Sequence, residues 1–275
     1  MNFFSRWRRT RLLRRHAIPE ALWQEALAVL PFLAAWPPSE LEALRATATL
    51  FLRDKSIVGA RGFVVTPFQR VVVAVQACIP VLKLGLQWYS DFKTVVLYSD
   101  EFISRSEWEG EDGVVHFDDA PTAGEAMPGG PVVLSWPDAL DFSGEREGEE
   151  GEEEVAFLAP PAGNIPQVSV VIHEFAHKLD MRNGEANGCP PLPRELSAKR
   201  WQRAMQQAYE DFCFRTARGE DMGMDTYAAE DASEFFAVLS EIFFIAPKRL
   251  RETYPEVYEC FRLFYRFEVN ESPRT

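Results

Sequence analysis

His173 and His177 stand four residues apart with Glu174 directly after the first, an H-E-x-x-H pattern inside Val170-Val171-Ile172-His173-Glu174-Phe175-Ala176-His177-Lys178-Leu179-Asp180. On a helix, residues four apart share one face about one turn apart, so both imidazoles can reach a single zinc ion at about 2.0 to 2.1 Å. Glu174 projects about 100° further round. From there it can hold the water that zinc activates, without ligating the ion, and accept a proton as that water attacks a carbonyl. Zinc brings the water's pKa toward about 7, which makes hydroxide available at neutral pH. The chemistry this predicts is metal-assisted hydrolysis. Two of the chain's four histidines are used here, and His16 and His116 lack any partner at metal spacing.

A catalytic zinc takes three protein ligands and keeps one position open. A metzincin would place Gly at 180 and His at 183; the chain has Asp180 and Asn183, which excludes that class. A carboxylate is the natural third ligand, and spacing leaves Glu195, Glu234 and Glu241 open. Glu234 and Glu241 are seven apart and share a helical face. Asp180 lies three residues after His177, in a last helical turn that disfavours an acid. It can accept a ligand's imidazole N–H and fix its tautomer, or pair with Lys178 or Arg182.

The elements that must position these groups can be traced by periodicity. Residues 168–181 are apolar on a helical period and stop at Asn183-Gly184. A second helix is predicted over about 197–218, with Trp201, Met205, Tyr209 and Phe212 on its buried stripe, and a third over about 228–246, ahead of Pro247. Earlier, Pro37-Pro38 followed by Ser39 and Glu42 reads as a capping box, after which Leu41, Leu44, Ala48, Phe51 and Leu52 form one stripe. The apolar run 71–88 reads as core. Thr94 to Tyr98 and Pro131 to Ser135 read as strands, the latter as a sheet edge able to hold extended substrate backbone.

These signals divide the chain into a basic tail (1–19), a mostly helical part (20–90), a catalytic part (91–268) and a short C-terminal tail (269–275). Within the catalytic part, 143–155 reads as an acidic flexible loop: residues 144–154 hold seven glutamates, three glycines and one arginine, too little apolar surface to offset the cost of ordering. The first sixteen residues carry six arginines but no apolar core of the secretory kind.

With 29 basic and 42 acidic side chains the formal net charge is −13, which argues against nucleic acid as a partner. No stretch is apolar for long enough to span a bilayer. The four cysteines, Cys78, Cys189, Cys213 and Cys260, form no zinc-clamping or redox pair and suit a reducing, cytoplasmic setting.

The chain resembles the Mlc titration factor A peptidases, gluzincins whose zinc site is related to that of anthrax lethal factor. The likeness rests on His173-Glu174-Phe175-Ala176-His177-Lys178-Leu179-Asp180, on Ser233-Glu234-Phe235-Phe236-Ala237-Val238-Leu239-Ser240-Glu241, and on Asp225-Thr226-Tyr227 ahead of the latter. It extends to Leu30-Pro31-Phe32-Leu33, Gln76-Ala77-Cys78, Gly85-Leu86-Gln87-Trp88-Tyr89 and Pro131-Val132-Val133-Leu134-Ser135-Trp136, covering about residues 20 to 268. The arginine-rich start and the glutamate run depart from the family pattern. The resemblance implies an α+β, zincin-like metallopeptidase domain with a mostly helical N-terminal subdomain, and one Zn2+ per chain. It implies that Glu234 is the third ligand and that Tyr227 faces the metal. A phenol, with an ordinary pKa near 10, is a protonated donor at pH 7 and can stabilise an oxyanion. Glu241 is then expected to support the site rather than ligate. Aminopeptidase activity on peptide or aminoacyl substrates is implied, and so is a different kind of role, titration of a transcriptional repressor of sugar uptake, Mlc.

Overall fold

The computed structural model describes residues 11–13, 15–109, 115–141 and 169–268, with backbone alone for 104–121. The glutamate run and both chain ends lie outside the described residues. Eight helices are described: α1 (Glu20–Ala28), α2 (Pro38–Asp54), α3 (Pro67–Cys78), α4 (Val170–Asp180), α5 (Ala198–Thr216), α6 (Ala232–Ile245), α7 (Pro247–Thr253) and α8 (Pro255–Tyr265). Strands β1 (Ser56–Gly59), β2 (Thr94–Tyr98), β6 (Val132–Ser135) and β5 (Gly124–Ala126) form one sheet in that spatial order, and β3 (Phe102–Glu109) with β4 (Val115–Thr122) forms an antiparallel ribbon. The architecture is α+β.

β1, β2 and β6 run parallel, and β5 returns antiparallel to β6 with Gly124 opposite Leu134. β6 is therefore an interior strand, paired on both sides. This corrects the expectation that 131–135 is an edge. The edge on that side is β5, whose Gly-Glu-Ala sequence is too short and too polar to read as a strand. Edge backbone carries the unpaired N–H and C=O groups that an extended chain can join.

One continuous core fills the space beneath the sheet and between the helices. α6 is buried all round, with Phe235, Phe236, Phe243 and Phe244 almost inaccessible. Each such side chain contributes about 1.5 to 3 kcal/mol by leaving water. Phe175 of α4 packs edge-on against Phe51, Tyr89 and Phe92, which locks the helix to the first third of the chain. α3 is nearly as buried as α6. It begins at a true capping box, Thr66 and Gln69 exchanging hydrogen bonds, behind Pro67. The box expected at Ser39 and Glu42 is absent, because α2 already starts at Pro38 and places Ser39 inside its first turn. α6 starts at Ala232 rather than near 228, where Asp231 caps the helix through Ser233 N and Glu234 N. A separate 3-10 turn, Thr226–Ala229, precedes it. Among the described residues no helix is long and apolar enough to cross a membrane.

Candidate metal centre

α4 and α6 cross with their polar residues facing each other, and the histidines of one meet the carboxylates of the other. His173 Nε2 lies 3.0 Å from Glu234 Oε2 and 3.1 Å from His177 Nε2, while His177 Nε2 lies 3.3 Å from Glu234 Oε1. A tetrahedral ion with bonds of about 2.0 to 2.1 Å spaces its ligand atoms by about 3.3 Å. The three contacts, which use both oxygens of Glu234, are close to that spacing, and the composition of this triangle of residues, two imidazoles and one carboxylate, is that of a catalytic site with an open fourth position.

Behind this triangle each imidazole has a partner for its other nitrogen. His173 Nδ1 sits 2.8 Å from Glu241 Oε1, and His177 Nδ1 sits 3.0 Å from Ser233 Oγ. While Glu241 is ionised it can only accept, so His173 Nδ1 donates to it, and an ion bound in the triangle would find the lone pair of Nε2. Of the three carboxylates that spacing left open, Glu234 joins the two histidines, Glu241 stands behind one of them, and Glu195 is exposed and outside the cluster. Ser233 was not foreseen. Its only sequence signal is its place, one residue before Glu234 in the capped first turn of α6.

Burial opposes a charge on His173, yet its hydrogen bonds to Glu234 and Glu241 outweigh this and raise its pKa well above the usual value. Burial likewise acts to raise Glu234, but the two histidines hold its carboxyl far below the ordinary carboxylate range. The cluster therefore strongly favours positive charge at its centre. Glu174, 5% exposed, lies against Gly124 of β5. A Cβ on Gly124 would come within 2.6 Å of Glu174 Oε1, so only glycine lets the carboxyl lie against the edge strand. Burial pushes that carboxyl up to about 6, against the opposing pull of the histidines. A group titrating so close to neutrality can both take and return a proton.

Tyr227, half-buried, lies in the 3-10 turn before α6, with its ring centroid 6.4 Å from that of His173. Asp225 Oδ1 accepts from Tyr227 N at 2.9 Å and fixes the turn. Asp180 does neither of the things expected of it. Its Oδ2 accepts from the backbone N–H groups of Asn187 and Gly188 at 2.7 and 2.6 Å, so it holds the loop after α4 rather than a ligand or a cation. Lys178, with no exposed side-chain surface, pairs instead with Asp91 Oδ2 at 3.1 Å and donates to Met127 O and Gly130 O.

A zincin-like fold with a His-His-carboxylate cluster on two crossing helices defines a metallopeptidase, and the chain belongs to the glucose-regulated metallo-peptidase M90 family, whose model matches residues 4–266. Among its relatives, the Mlc titration factor A of Edwardsiella ictaluri is 38% identical over 248 residues, 89% of this chain and 86% of that one. That of Serratia proteamaculans is 35% identical over 250 residues, 90% and 87% of the two chains. That of Escherichia fergusonii is 34% identical over 280 residues, 97% of this chain and 95% of its own.

Proposed function

We propose that this metallopeptidase is a zinc-dependent enzyme of aminopeptidase type, in which His173, His177 and Glu234 hold one ion per chain and Glu174 is the general base. The observation that carries this reading is the convergence of His173, His177 and Glu234, whose donor atoms approach one another at 3.0, 3.1 and 3.3 Å. Zinc, when bound, would polarise the scissile carbonyl and acidify a water molecule. Glu174 takes the proton of the attacking water and delivers it to the leaving amine as the C–N bond breaks. The hydroxyl of Tyr227 donates to the oxyanion oxygen that develops on the carbonyl. β5 is the strand on which extended peptide backbone lies beside Glu174, in place of the interior β6. Four free cysteines support a reducing, cytoplasmic setting.

The test pairs metal analysis with cleavage of an aminoacyl reporter. Wild type should carry close to one zinc per chain; His173→Ala, His177→Ala and Glu234→Gln should lose it, and Glu174→Gln should keep it without turnover. Zinc retained in Glu234→Gln but lost in Glu241→Gln would move the third ligand to Glu241.

The name shared by the relatives, Mlc titration factor A, supports a second reading in which the chain binds a repressor of the Mlc kind. Such binding need not use the metal. A pull-down with Glu174→Gln separates the two, because loss of a general base leaves the outer surface unchanged; binding lost together with turnover would mean one surface serves both.

A further inference from the structure

Gln76 belongs to the motif Gln76-Ala77-Cys78, to which the chemistry above gives no part. It lies on α3, is fully inaccessible to solvent, and sits far in sequence from either zinc-binding helix. Its amide nonetheless begins a chain of hydrogen bonds that ends on His173. Gln76 Nε2 donates to Ala139 O at 2.9 Å, and Gln76 Oε1 accepts from Ser169 Oγ at 2.7 Å. Ser169 is the N-cap of α4: its Oγ accepts from Ile172 N at 3.1 Å, and its own N–H donates to Glu241 Oε2 at 2.5 Å. The other oxygen of Glu241 then meets His173 Nδ1 at 2.8 Å.

The directions of the bonds from Ala139 through Gln76 to Ser169 are forced. Ala139 O can only accept, so the NH2 of Gln76 must face it and Oε1 must face Ser169. Ser169 Oγ uses a lone pair on Ile172 N–H, so its hydrogen goes to Gln76. That arrangement aims the backbone N–H of Ser169 at Glu241 and seats the carboxylate square behind the imidazole. In a buried site each member is costly to leave unpaired, so the chain has one low-energy arrangement rather than several.

We propose that Gln76 is a positioning residue for the metal, setting the orientation of His173 through Ser169 and Glu241. This rests on the zinc reading given under Proposed function. Groups directly behind a ligand change metal affinity by about ten- to hundredfold. Gln76 acts through two intermediates and belongs near the lower end, about tenfold.

The experiment measures the zinc dissociation constant by chelator competition, together with the visible absorption of the cobalt-substituted protein, which reports ligand geometry. Gln76→Leu, of similar size, should weaken zinc about tenfold and shift the cobalt bands. Gln69→Leu serves as the control: it removes the capping box of the same helix and should lower the thermal midpoint while leaving both metal readouts at wild-type values. Wild-type affinity and spectrum in Gln76→Leu would overturn the proposal, and so would an equal change in Gln69→Leu at a matched loss of stability. Should Gln76→Leu not fold, Ser169→Ala decides in its place, because it keeps the N–H to Glu241 but lacks the hydroxyl; unchanged metal readouts there overturn the proposal too. Wild-type protein without affinity for zinc would end the metal reading itself and this inference with it, an outcome distinct from normal zinc binding that Gln76→Leu leaves untouched.

Discussion

His173 and His177 are held from behind by side chains, Glu241 and Ser233, whereas Lys178 and Asp180 on the same helix find most of their partners in the backbone of other segments. The first pair faces α6 and leaves two ring nitrogens directed at a common point. The second pair turns to other segments, Lys178 gathering the turn between β5 and β6, Asp180 gathering the loop 187–188. One eight-residue motif thus does two jobs. One set of its side chains builds a charge-accepting centre, and the other fixes the loops and the edge strand around it. The comparison is open to attack from both sides, because changes in the first set should alter chemistry with little effect on stability, and changes in the second should do the reverse.

The largest expected effect is on the chemistry of the centre. Glu174→Gln should lower turnover by about 10² to 10⁴-fold, the usual contribution of a general base. Stability should hold or rise, since burial makes the ionised carboxyl costly in the folded protein. A fall in the thermal midpoint as steep as the fall in rate would show that Glu174 is structural.

Lys178→Met comes next and tests the second set. It preserves length and burial but strips Asp91 of its nearer cation, leaving Arg182 at 3.6 Å, and leaves Met127 O and Gly130 O without that donor. Breaking a fully buried pair costs about 3 to 5 kcal/mol. Asp91 keeps 22% of its side chain exposed, so about 2 to 3 kcal/mol is expected, read by urea unfolding, with zinc content unchanged. Loss of zinc without loss of stability would erase the division between the two sets.

Gly124→Ala probes where the two sets meet, because β5 is held by Lys178 at one end and touches Glu174 at the other. A Cβ there would lie within 2.6 Å of Glu174 Oε1 and 2.7 Å of Val170 Cγ2, and the carboxyl must move. Since a misplacement of about 1 Å can cost about a hundredfold, a loss of about tenfold in kcat is expected from a partial shift, at normal zinc content. Full activity would mean that the carboxyl has room to spare.

How much of this was legible in the sequence follows the same division. The H-E-x-x-H helix, β2, α5 and the body of α6 announce themselves through apolar period and through residue types that only ligand chemistry explains together. Side-chain partners were partly readable: Glu234 and Glu241 could be set on one face, though spacing alone could not rank them. Backbone partners were not. Asp180 was assigned to an imidazole or a cation because sequence displays side chains and hides the N–H groups of Asn187 and Gly188. β1 and β5 escaped for a related reason: with four and three residues, they are made strands by their neighbours rather than by propensity. The 102–122 ribbon lay in a stretch rich in Gly, Pro and Asp that carried no clean alternation.

Asp180→Asn gives the smallest effect and the finest discrimination. Asparagine keeps an oxygen for the N–H groups of Asn187 and Gly188 but gives up the charge. Weaker hydrogen bonds destabilise the variant, relief from burying a charge stabilises it, and the net at neutral pH should be about 1 kcal/mol or less. The sign of its pH dependence is more informative. Burial raises the Asp180 carboxyl above the ordinary range despite the two N–H donors, so the folded state binds its proton at a pH where the unfolded state has already released it. Stability from this group therefore falls as pH rises between the unfolded and the raised folded value. Wild type should gain on Asp180→Asn as the solution is acidified through that interval, measured by urea unfolding of both proteins at saturating zinc. If wild type instead gains as pH rises, hydrogen bonding dominates burial at Asp180. The second set would then favour its charge as the first does, and the contrast between them would lie in their partners alone.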